Sequence, residues 1–113
     1  MKKLILIAAI ALSGCSVIFP IAHDPVMFGD VVDVRLELNR ANCQNKDWTK
    51  LYYHAERVAE YATLREDPQA DSLRKLLPAL DTAHKSKNEK FCESVLSVQR
   101  TRIAVVIDAW RGR

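Results

Sequence analysis

Between Trp48 and Ala62 the apolar residues Trp48, Leu51, Ala55, Val58 and Ala62 recur at steps of three and four. That period belongs to an amphipathic helix with one face turned to a core. Tyr52, Ala59 and Leu64 widen or flank the face, Asp47 is placed to cap the helix, and Glu56, Arg57, Glu60 and Tyr61 fall on its solvated side. Upstream, Asp24-Pro25 reads as a helix start, because Asp accepts from free amides and Pro costs nothing at the first helical position. Met27, Val31, Val34, Leu38 and Ala41 continue from it as one stripe. A strand competes over Asp30 to Asn39, where Val32, Val34, Leu36 and Leu38 alternate with Asp33, Arg35, Glu37 and Asn39. No second strand of that character exists to satisfy its backbone, so the helix is expected.

Downstream, Asp67-Pro68 repeats the Asp-Pro device and should end one helix and open the next. Leu73, Leu76, Leu77, Leu80 and Ala83 form the next stripe, and Pro78 inside it predicts a kink or two short helices meeting near Leu77. Asn88 is placed to cap a last helix carrying Phe91, Cys92, Val95, Leu96, Val98, Ile103, Val105, Val106, Ile107, Ala109 and Trp110. This helix is apolar on more than one side, the mark of a central helix or of one covered by a partner. The expected fold is all-α, a small bundle of three to five helices over residues 24–113.

The first sixteen residues have a separate meaning. Lys2 and Lys3 precede an uncharged run from Leu4 to Leu12, which ends in Ser13, Gly14 and Cys15. The run is too short to span a bilayer, which takes roughly 20 apolar residues, and it has the form of a secretory signal. Leu12-Ser13-Gly14-Cys15 resembles the lipobox of bacterial prolipoproteins, whose cysteine is diacylated and becomes the first mature residue. The resemblance implies a signal peptide over 1–14, a short acylated tether over 15–23, and a diacylglycerol and N-acyl chain on Cys15, with no other cofactor. Ser16 is not the aspartate associated with retention in the inner membrane, which implies the periplasmic face of a Gram-negative outer membrane, in a bacterium or from a phage or plasmid it carries.

With Cys15 assigned to lipid, Cys43 and Cys92 remain as an even pair in an oxidising compartment, and a Cys43–Cys92 disulfide follows as the default. Removing residues 1–14 leaves 99 of the 113 residues, enough for one small domain. Lys2 and Lys3 leave with the signal, so 15 Lys and Arg face 14 Asp and Glu, and no nucleic-acid footprint is indicated.

Catalytic signatures are not evident. Gly14, Gly29 and Gly112 are isolated, so there is no phosphate loop, and no serine stands in a nucleophile-elbow context. His23, His54 and His84 lie in separate segments, and only His84 with Asp81 offers ligand spacing; surface polarity explains these residues better than a metal site. Asp30, Asp33, Glu37, Glu56 and Glu60 read as solvated faces, and no small-molecule substrate is indicated. Candidate contact residues are the outward Tyr53, Trp110 as an aromatic anchor, and Arg102 and Arg111 beside it, although cations near a helix C-terminus also simply match its dipole. The expected function is non-enzymatic binding of another envelope protein or an incoming one. The format is similar to that of secretion pilotins, exclusion lipoproteins and immunity lipoproteins. A structural or assembly role in an envelope complex is the alternative, and an envelope hydrolase a weaker one.

Overall fold

The computed structural model describes residues 22–112. Leu12, Ser13, Gly14 and Cys15, the tether up to Ile21, and Arg113 lie outside the described residues. The described chain forms α1 (Pro25–Arg40), α2 (Thr49–Leu64), α3 (Ala70–Arg74), α4 (Leu76–Lys85) and α5 (Glu89–Arg111). No strand occurs among the described residues, and Asp30 to Asn39 is helical throughout. The stripe Met27, Val31, Val34 and Leu38 is buried, with the alternating polar positions spread around the rest of the helix.

Short connections make neighbouring helices antiparallel. The first helix packs on α2 and α5, α2 on α3 and α4, and α4 on α5, while α1 and α4, and likewise α2 and α5, stand at opposite corners across the shared core. The arrangement is therefore a square four-helix bundle in which α3 and α4 are two halves of one broken helix. The expected stripe of α2 is wholly buried, as are Leu73, Leu76, Leu80 and Ala83 of the broken helix and Cys92, Leu96, Ile103, Val106, Ile107 and Trp110 of α5.

The break falls at Lys75, three residues before Pro78. Pro78 has no N–H to give the Arg74 carbonyl and its ring would crowd that carbonyl, so the helix restarts one residue after it, with Pro78 in the new first turn. Two expected caps are made. Asp24 accepts from the amides of Val26 and Met27 at 3.0 and 3.1 Å, and Asn88 accepts from Phe91 at 3.1 Å.

Two others are replaced. Asp47 does not cap α2, which begins at Thr49 with no side-chain cap; its carboxylate instead accepts the Thr49 hydroxyl at 3.1 Å. Asp67-Pro68 does not itself end α2. The helix closes earlier, where Glu66 donates to the Thr63 carbonyl and Asp67 to that of Ala62, a pairing that requires the left-handed conformation Glu66 adopts, φ 53°. Asp67 is buried, and its carboxylate accepts the Gln69 amide at 2.8 Å to turn the chain into α3.

One end of the bundle is tied by the Cys43–Cys92 disulfide, Cα atoms 6.1 Å apart, which joins the α1–α2 connection to the first turn of α5. At the same end Lys46 donates to the carbonyls of Ala83, His84 and Ser86, closing the C-terminus of α4. The other end is tied by Asp24, whose second carboxylate oxygen lies 3.4 Å from Arg65 at the end of α2. The chain therefore enters the bundle at the end opposite the disulfide.

Candidate functional site

The four candidate contact residues do not form one surface. Tyr53 is exposed on the outer side of α2, with its ring edge-on to His54 at 5.4 Å. The other three sit on α5, diagonally across the square from α2. Trp110 is only 2% exposed, and its indole N–H donates to Asp67 at 3.0 Å. A buried ring that locks α5 to the α2–α3 turn cannot be a surface anchor, which corrects the sequence expectation. The core stripe of Leu96, Ile103, Val106 and Ile107 runs into it.

Arg102 is half-buried, donating to Gln99 at 3.0 Å and to the Ser72 carbonyl and hydroxyl at 3.4 Å. Arg100 donates to the Leu38 and Ala41 carbonyls at 3.1 and 3.0 Å, supplying partners for the C-terminus of α1. Of the three candidate contact residues on α5, Arg111 alone is solvated, paired with Asp108 at 2.6 Å.

Several polar residues expected on solvated faces also hold the bundle together. Asp30 is buried and lies 3.6 Å from Arg57. His84 is half-buried; its ring stands edge-on to Trp48 at 5.3 Å, and Nε2 is 2.9 Å from the Lys46 carbonyl oxygen. Tyr61 is half-buried and bonded to Asp24, which raises its pKa, with burial adding to the effect. Burial alone would push the Asp24 carboxyl up, but the Met27 amide, the Tyr61 hydroxyl, the Arg65 guanidinium and the Val26 amide together hold it below its ordinary value. Tyr52 is raised by burial and by Asp81, and its hydroxyl reaches the Leu80 carbonyl at 3.5 Å.

Among the described residues no three His, Cys, Asp or Glu side chains converge as metal ligands, and no helix is long and apolar enough to cross a membrane. One recess of about 120 Å³ at the disulfide end is lined by Glu37, Arg40, Asn42, Asn45, Asp47 and Trp48. Its amides are committed locally, since Asn42 accepts from the backbone N–H groups of Gln44 and Asn45, and Asn45 from that of Asp47.

The feature that stands out is on α5. Phe91, Val98 and Val105 are 46%, 56% and 58% exposed, a large solvated apolar area on a helix whose other side is core. Their seven-residue spacing was visible in the sequence, but which apolar side faced outward was not. Comparison with protein-family models, curated proteins and solved structures finds no match to this chain.

Proposed function

We propose that this chain is a small lipoprotein, anchored through Cys15 to the periplasmic face of a Gram-negative outer membrane, that binds another envelope protein or an incoming one without catalysing a reaction. The observation that carries the binding part is the exposed line of Phe91, Val98 and Val105 on a helix whose opposite side is core. The lipobox resemblance of Leu12 to Cys15 carries the anchoring part. The two agree in geometry. The chain enters the bundle at Asp24, and the nine residues from Cys15 to His23 reach at most about 30 Å when fully extended. A lipid on Cys15 would keep the Asp24 end near the bilayer and leave the sides of the bundle open to partners.

Labelling with palmitate and envelope fractionation test the anchoring. The expected result is labelled wild-type chain in the outer-membrane fraction and unlabelled, unprocessed Cys15→Ala. A wild-type chain that takes no label and leaves with the soluble periplasmic fraction refutes it.

A further inference from the structure

We propose that the end of the bundle at which the chain enters rests on the bilayer surface, with Leu64 and Val26 dipping into the headgroup region, an inference that rests on the anchoring through Cys15 above and names the surface the anchor brings down. Leu64 is 76% exposed, the most exposed large apolar side chain among the described residues, and Val26 is 51% exposed. They belong to one end of the bundle. Asp24 accepts from the Val26 amide at 3.0 Å, and its other carboxylate oxygen lies 3.4 Å from Arg65, the residue after Leu64. They also belong to one side. Val26 stands about one turn before Asp30 on α1 and Leu64 about two turns beyond Arg57 on α2, and Asp30 and Arg57 meet at 3.6 Å across the seam between the two helices. Leu64 and Val26 therefore flank that seam at its chain-entry end.

The tether selects a lipid surface as the occupant. From Ser16 to Ile21 it is uncharged, and Val17, Ile18, Phe19 and Ile21 are large and apolar, a composition that favours a bilayer interface over water. An acylated Cys15 holds this end of the bundle beside the bilayer, so a contact too weak to bind a free domain suffices to orient a tethered one. The polar groups around Leu64 are bonded within the chain and lose little on approach. The Thr63 hydroxyl donates to the Ala59 carbonyl at 2.7 Å and accepts from Arg74 at 3.0 Å. Charge adds no pull. Arg65 is paired with Asp24, Arg74 with Asp71 and Arg111 with Asp108, and Glu66 has no cation partner among the described residues. The contact therefore depends on apolar insertion and not on anionic headgroups.

A photo-crosslinking residue at Leu64 or at Val26 of the full chain, expressed in the intact envelope, tests the proposal, with the same residue at Tyr53 as the comparison. Tyr53 is 60% exposed on the same helix, and its spacing from Leu64 places it on the same side, about 16 Å nearer the disulfide end. The expected result is a phospholipid adduct at Leu64 and at Val26 and none at Tyr53, with the Cys43–Cys92 bond and the helical signal unchanged. In vesicles of phosphatidylethanolamine, the purified acylated chain should give the Leu64 adduct in equal yield with and without added phosphatidylglycerol. A lipid adduct at Tyr53 matching that at Leu64, a protein adduct in place of lipid at Leu64, or a yield that rises severalfold with the anionic lipid overturns it. Palmitate labelling of the same cells separates this contact from the anchor. Labelled chain in the outer-membrane fraction with no lipid adduct at Leu64 overturns the contact and leaves the anchoring standing; a chain that takes no label overturns both.

Discussion

Removing the Cys43–Cys92 bond by Cys43→Ala and Cys92→Ala is expected to cost about 4 kcal/mol. The two residues are 49 apart, and closing a loop of that length in the unfolded chain is worth about 4 kcal/mol by chain entropy at 25 °C. Native packing adds little to this, because Cys92 is fully buried and Cys43 nearly so, and alanine at both sites deletes only the two sulfurs. Serine would be the wrong replacement, since it buries two hydroxyls that need partners. A small domain is stable by roughly 5–15 kcal/mol, so the variant should still fold but with a melting temperature lower by roughly 15–30 °C. Urea unfolding followed by far-ultraviolet circular dichroism gives the free energy and also checks its origin. If the bond acts on the unfolded chain, the variant must expose more surface on unfolding and show a steeper dependence on urea. A loss below about 1.5 kcal/mol with an unchanged slope would refute the reasoning.

Two further perturbations test the ends of the bundle. Glu66→Gly should stabilise the protein by about 1 kcal/mol, read as a higher urea midpoint, because Glu66 occupies the left-handed position that closes α2 and glycine takes that conformation without penalty; a lower midpoint would show that the Glu66 side chain contributes more than its backbone costs. Asp24→Asn should flatten the acid limb of the stability profile. The folded pKa of Asp24 lies below its ordinary value, so its contribution is complete above the unfolded value near 4 and is lost as pH falls through the folded one. Parallel stability curves for wild type and variant below pH 4 would remove Asp24 from that role.

What the sequence made legible was what obeys a single local rule. The core stripe of α2, that of α1 as far as Leu38 though not its last member Ala41, the Asp24 and Asn88 caps and the all-helical class follow from period and short-range capping chemistry, and each stands in the structure. Three of the failures involve a second partner far along the chain. Asp30 looks solvated until Arg57 arrives from α2, His84 until Trp48 and Lys46 enclose it, and Trp110 looks available until Asp67 accepts its N–H from 43 residues away. Asp67-Pro68 misled for a related reason. Its dipeptide resembles Asp24-Pro25, but the left-handed turn at Glu66 had already closed α2, leaving the Asp67 carboxylate to form a turn and receive Trp110.

The same long-range pairings decide which part of α5 remains to meet a partner. Along the sequence, Arg102 and Arg111 beside Trp110 read either as a solvated helix end matched to its dipole or as a basic, aromatic docking patch. In the bundle Trp110 is core, Arg100 is spent on the last carbonyls of α1, and Arg111 is answered by Asp108. Arg102 is held by Gln99 and Ser72, so the three arginines form no open basic patch around Trp110. Polar residues of α5 close the C-terminus of α1, brace α3 through Ser72 and support the disulfide through Glu93, while Ser94, Ser97, Thr101 and Asp108 stay exposed. Phe91, Val98 and Val105 are the large apolar side chains of α5 that the bundle leaves exposed, which is why we place the binding function there and not at the helix end.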